Sequence, residues 1–272
     1  MDAVPYNLFT SLPACLSGLI CSEWIKLVEL ARLDSAFCNR SLRASLLELM
    51  KSNACISHDR FRSLRSRSCS NSMFDWLIER GVKVTHIDCH VYCDETRLNG
   101  FVTLNASKGR CLYLPDTLTL PATALCNKLT VFDGLLSEDT CTILKNNPRL
   151  EVLSLCDWGG LSGQALEGLA LPVLRDLTIT LDLVHLSEDG QSLLVLVQAT
   201  RCLQKLQLFF YARIPVSVVS YEALCAMASH CPKLIELTIT SADVPDDIIA
   251  TIVQSCPLIT HLDLTANLAI TD

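Results

Sequence analysis

The chain has 272 residues, half of them apolar and 19% charged, with a net charge of −7. That length supports one or two globular domains, and its hydrophobicity excludes disorder over most of the chain. The acidic balance argues against a general nucleic-acid or membrane-surface binder, and 49 leucines point to repeats or helical packing.

The N-terminal part reads as helical. Leu16, Leu19, Ile20, Trp24, Leu27 and Val28 recur at spacings of three and four, and Leu30 and Leu33 extend the pattern. Leu42, Leu46, Leu47, Leu49 and Met50 form a further amphipathic stretch, with Asn39 or Ser41 as its N-cap. Pro13 suits the first turn of the opening helix, where its missing N–H costs nothing. An all-helical unit is therefore expected over residues 8–52. Leu8 to Ser22 carries no charge, but no basic cluster precedes it and Pro13 interrupts it, so a cleaved signal is not expected. No uncharged apolar stretch reaches the roughly 18 residues that a membrane span needs.

Residues 53–72 change character, with Arg60, Arg62, Arg65 and Arg67 among serines. This composition predicts a solvated basic linker; a phosphorylation site or docking patch is the sharper alternative.

From residue 73 to 272 the chain repeats itself. An apolar residue followed at +3 and +5 by two more occurs at Val84/Ile87/Cys89 and weakly at Gly109/Leu112/Leu114. It returns at Leu129/Phe132/Gly134, Leu150/Leu153/Leu155, Leu174/Leu177/Ile179, Leu203/Leu206/Leu208, Leu234/Leu237/Ile239 and Ile259/Leu262/Leu264. The starts are 25, 20, 21, 24, 29, 31 and 25 residues apart, the period of a leucine-rich repeat with insertions. Residues two apart share one face of a strand, so each pair marks a short buried strand. The stretches between read as helices, Ser187 to Arg201 being one, and Ile248, Ile249, Ile252 and Val253 marking another. A second column stands three residues before each first apolar position: Cys126, Asn147, Leu171, Thr200, Cys231 and Cys256. Pro148, Pro172, Pro232 and Pro257 follow four of these and end the preceding helix. The expected fold is α/β, a solenoid with parallel strands on a concave face and helices on a convex one.

The segments SHCPKLIELTIT and QSCPLITHLDLT resemble the cysteine-containing subclass of leucine-rich repeats found in F-box–LRR proteins. The ending LDLTANLAITD is similar to the first half of such a repeat, stopped before its helix, which leaves two readings: a solenoid truncated at the C-terminus, or an end completed by something else. At the other end, LPACLSGLICSEWIKLVELARLDSAFCNRSLR resembles an F-box, through Leu12, Pro13, Leu16, Ile20, Leu30, Ala31, Leu33 and Cys38. The chain departs from the family pattern in lacking a tryptophan after Cys38, where Arg40, Ser41 and Leu42 stand, and in two spacings one residue long. The resemblance implies that Leu12, Pro13, Leu16, Ile20, Leu30 and Leu33 bind the Skp-type adaptor of a cullin ubiquitin ligase, while the repeats capture its substrate. Without the resemblance, the same helices are a cap that shields the first repeat's open edge.

Fifteen cysteines cannot all pair, and many lie in apolar runs (Cys15, Cys21, Cys126, Cys225), which predicts reduced thiols and a cytoplasmic or nuclear protein. His86, Asp88, Cys89, His90 and Cys93 have ligand types that suit zinc. Strand alternation nevertheless places His86, Asp88 and His90 on one face and Cys89 on the other, so no metal is expected. No phosphate-binding loop and no nucleophile elbow occurs, and the cysteines lack basic neighbours, so neither catalysis nor a cofactor is expected.

What remains is a recognition surface. Alternation brings to the concave face His86, Asp88, His90, Asp133, Asp176, Thr178, Lys205, Gln207, Phe209, Glu236, Thr238, His261 and Asp263. Five carboxylates face one lysine there, which favours a basic protein segment and disfavours a phosphate backbone. The expected function, resting on the resemblance, is a non-catalytic substrate-recognition subunit of a Skp–cullin–F-box ubiquitin ligase. A repeat scaffold with a helical N-terminal cap and no ligase link is the alternative.

Overall fold

The computed structural model describes residues 12–23, 25–36, 40–52, 55–62, 67–89, 94–114, 126–135, 137–156, 163–181, 189–214, 221–242, 244–267 and 269. Two units divide the chain, Met1–Cys111 and Leu112–Asp272.

The first unit opens with α1 (Ala14–Glu23), α2 (Leu27–Ala36) and α3 (Arg40–Lys51), as the apolar spacing predicts. The Pro13 carbonyl, just ahead of α1, accepts from the Leu16 and Ser17 amides at 2.9 and 3.1 Å. Cys38 and Trp24, singled out in the sequence, lie outside the described residues. The expected linker over 53–72 is corrected by the structure. A strand, β1 (Ile56–Arg62), occupies it, and α4 (Arg67–Arg80) begins within it. β1 pairs in parallel with β2 (Lys83–Asp88), and both α1 and α2 pack against it. Its buried positions include Ser57, two residues after buried Cys55, so no leucine alternation marks the strand. The Phe74 and Phe101 rings, with centroids 5.3 Å apart, join α4 to α5 (Glu95–Asn105). The Arg110 amide donates to the Thr85 carbonyl at 2.8 Å, which brings the chain entering β3 (Cys111–Tyr113) beside β2.

A buried carboxylate ties these helices together. Asp34 on α2 accepts from Arg43 Nε on α3 at 3.2 Å, and from Trp76 Nε1 and Arg80 Nε on α4 at 3.1 and 3.0 Å. Burial pushes its carboxyl up, but the hydrogen bonds from Arg80 and Trp76 and the charges of Arg80 and Arg43 outweigh it and hold the group below its ordinary value.

The second unit alternates strand and helix. In chain order it holds β4 (Val131–Leu135), α6 (Glu138–Asn146), β5 (Val152–Cys156) and a 3-10 turn (Gly163–Leu166). Then come β6 (Asp176–Leu181), α7 (Asp189–Gln198), β7 (Lys205–Ile214), α8 (Tyr221–His230), β8 (Glu236–Ala242), α9 (Asp246–Ser255) and β9 (His261–Asp263). Each strand from β4 to β9 pairs in parallel with the next, and α7, α8 and α9 pack in succession. The helices have local causes. Ser137 caps α6 by accepting the Thr140 amide at 3.3 Å, with Glu138 and Asp139 in the first turn and Lys145 in the last. Pro245 precedes α9, which has Asp246 and Asp247 in its first turn.

At four of its six positions the column of residues ahead of the strands is a repeated turn. The carbonyls of Asn147, Leu171, Cys231 and Cys256 accept the amides of Leu150, Leu174, Leu234 and Ile259, three residues on, at 3.1–3.2 Å. Proline occupies the second turn position each time, where its fixed φ suits the bend. Asn147 does more: its amide donates to the Cys126 and Ile143 carbonyls at 2.8 Å, and its oxygen accepts from Leu129 N at 2.8 Å. Asn105 makes the matching bonds to Phe101 O and Val84 N in the first unit, at 2.8 and 2.7 Å. Gly134 holds a slot filled elsewhere by Leu155, Ile179 or Leu208. A Cβ there would stand 3.1 Å from the Phe132 ring, which takes up that space.

Candidate functional site

Alternation sorts each strand of the second unit. Leu153, Leu155, Leu177, Ile179, Leu206, Leu208, Leu237 and Ile239 are buried, and the residues flanking them are half-exposed. Parallel register then lines the flanking residues into rows. Asp176, Lys205, Glu236 and His261 stand opposite one another on β6–β9. Two residues further along the strands, Asp133, Ser154, Thr178, Gln207, Thr238 and Asp263 form a second row across β4–β9. In the next row, Phe209 stands between Thr180 and Thr240.

The first row alternates in charge. Lys205 Nζ lies 2.9 Å from Glu236 Oε2, and that hydrogen bond and charge, with a smaller contribution from His261, hold the Glu236 carboxyl below its ordinary value. Lys205 and Glu236 thereby offset one another within the face, and Asp176 and Asp263 add negative charge to it. The second row is mostly neutral and hydrogen-bonding. Thr178 Oγ1 donates to Gln207 Oε1 at 3.3 Å, and Asp263 accepts the Thr265 hydroxyl and amide, which lower its carboxyl. β9 is an open edge: its three residues are all exposed, and Leu262 is 41% exposed where its register partner Leu237 is 2%.

In the first unit, His86 is half-exposed on β2, with Nδ1 2.8 Å from Thr85 Oγ1. Asp88 is a correction. It was expected on an open face and is fully buried at 0%. The unforeseen β1 runs alongside β2 with Arg62 in register with Asp88. His90 and Cys93 lie outside the described residues. Cys89 is buried, and among the described residues no three His, Cys, Asp or Glu side chains gather as metal ligands.

The six residues expected at the adaptor contact separate. Leu16 is 47% exposed and Pro13 is exposed; Leu12, Ile20 and Leu33 are half-buried. Leu30 is only 1% exposed, which corrects its assignment to a surface, because the face of α2 that bears it packs inward. Sequence reasoning left Leu19 and Val28 out of that set, yet both are exposed, Leu19 one turn along α1 from Leu16. Helical spacing alone does not say which apolar face turns inward.

Burial pushes the thiols of Cys126 and Cys231 up to about 11, and raises those of Cys141 and Cys256, which makes them poor nucleophiles. No described helix is long and apolar enough to cross a membrane. Compared with known proteins, the chain matches no family model and no curated protein.

Proposed function

We propose that this chain is a non-catalytic protein-recognition module of the leucine-rich-repeat kind, acting as the substrate-recognition subunit of a Skp–cullin–F-box ubiquitin ligase in the cytoplasm or nucleus. The observation that carries the recognition half is the pair of in-register polar rows on β4–β9, with Lys205 neutralised by Glu236. A face with excess carboxylates and a hydrogen-bonding row suits a basic, hydroxyl- or amide-bearing protein segment and repels a phosphate backbone. The ligase half is supported by Leu16 and Leu19, which stand in solvent one turn apart on α1, the helix that resembles the start of an F-box.

The test is co-purification with a Skp-type adaptor, comparing the chain with its Leu16→Asp/Leu19→Asp variant. Both side chains are exposed, so the variant keeps its Tm while adaptor binding is lost. Undiminished co-purification by the folded variant, or none by the original chain, removes the ligase link and leaves the recognition face standing.

A second reading, a scaffold with a helical cap and no ligase link, is favoured by one specific observation. α1 and α2 both pack against β1, and Leu30 is buried, as a cap over the first strand requires.

A further inference from the structure

We infer that β9 is a docking edge for a second copy of this chain, which pairs with it as an antiparallel strand about a two-fold axis at Leu262. β9 closes the order of the described strands: β8 lies on one side of it, and no described strand lies on the other. The His261 amide turns to β8, donating to the Ile235 carbonyl at 3.2 Å. Successive residues of a strand turn their backbone groups to opposite sides, so the Leu262 N–H and C=O are aimed out of the sheet. They are a donor and an acceptor of the kind that takes on a further strand.

The apolar side of the strand is opened as well. In the two preceding units the three inward positions are Leu203, Leu206, Leu208 and Leu234, Leu237, Ile239, all buried. The matching residues here are Ile259, Leu262 and Leu264; Leu262 is exposed and the other two are half-buried. A solenoid repeat that faces water at its end carries a polar outer face. These three side chains are apolar, so the end of this unit fits a neighbour better than solvent.

The charges select the neighbour. A strand paired antiparallel with its own copy at Leu262 sets His261 against the second copy's Asp263, and Asp263 against the second copy's His261. Both side chains are exposed and, being two apart, share a face of the strand. The one contact is therefore made twice, imidazole to carboxylate, with Leu262 against Leu262 between them on the opposite face. Parallel pairing in matching register would instead set His261 on His261 and Asp263 on Asp263. The antiparallel arrangement is isologous and closes at two copies, with both α9 helices on the same side of the joined sheet. It requires neither the adaptor reading nor the peptide-binding one.

The experiment is sedimentation velocity on the full chain at rising concentration. A reversible step from one copy to two is expected, with nothing larger. Leu262→Pro removes the outward N–H and the central apolar contact while sparing the ladder to β8, because proline is tolerated where a strand's N–H faces solvent. It should abolish the dimer in a chain that circular dichroism shows to be folded. Asp263→Lys lies at an exposed position and keeps the test open should the proline variant fail to fold. It takes the carboxylate from both copies of the pair and should weaken the dimer about tenfold. His261→Asp/Asp263→Lys reverses both charges and should restore it. A single copy at every concentration would overturn the proposal. So would a dimer that Asp263→Lys leaves unchanged, a weakened dimer that the double reversal does not restore, or assemblies that grow beyond two copies.

Discussion

The thiol of Cys256 points at the main-chain carbonyl of Cys231, 3.5 Å away and one strand–helix unit earlier. The Cys231 thiol in turn reaches the carbonyl of Thr200 at 3.4 Å, one unit earlier again. Each thiol thus donates to a main-chain carbonyl one unit before it, and the cysteines form a line of weak hydrogen bonds rather than a cluster of ligands.

Those thiols should be inert. A thiol reagent applied to the native chain should modify Cys15 quickly and leave Cys126, Cys231 and Cys256 largely untouched, as read by intact and peptide mass spectrometry. Cys231→Ala should cost ~1–2 kcal/mol in urea unfolding, from the lost S–H···O contact and the small void. Zinc at one per chain in native mass spectrometry would contradict this arrangement.

Asn147 closes three hydrogen bonds in a buried turn. Asn147→Ala leaves the Leu129 amide and the Cys126 carbonyl without that partner, and should cost about 2–4 kcal/mol in urea unfolding. Asn105→Ala should behave alike, because Asn105 makes the matching bonds to Val84 and Phe101. A cost under ~0.5 kcal/mol for both would mean that these amides do not hold the turns.

Asp34 links stability to pH. Its folded-state value lies below the unfolded one, so the unfolded chain binds the proton more readily in the window between them. The contribution is fully present above the unfolded value of about 3.9 and is lost as pH falls through the folded value. Asp34→Asn should lower stability by about 3 kcal/mol at neutral pH, because Arg43 and Arg80 lose their shared charge partner. Denaturation of the variant should be flatter with pH below about 4 than that of the original chain. Parallel profiles would contradict the role assigned to Asp34.

The polar face makes a charge prediction. Affinity for a lysine- and arginine-rich peptide should fall as ionic strength rises. Reversing Asp176, Glu236 and Asp263 to Lys should weaken binding about tenfold or more in a chain that still folds, since none of the three is buried. Unchanged affinity, or RNA binding by the original chain at physiological salt, would move recognition to another surface.

The strands of the second unit, their inward leucines and the helices between them could be read from one dimension. Leucines two apart share a face because of covalent geometry alone, and a proline two residues before the first apolar position ends a helix wherever it occurs. Much of the first unit could not be read this way. β1 hides behind arginines and serines, because a strand can bury Ser57 when helices cover it. Asp88 shares the alternation of His86, yet it is fully buried while His86 is half-exposed. Leu16 and Leu30 are equally apolar, and only packing decides that one meets water while the other meets the core. Asp34 has partners 9, 42 and 46 residues away, so no local pattern marks it. Periodicity reports which residues share a face; which face is covered, and by what, depends on contacts between residues far apart in sequence, which exist only once the chain has folded.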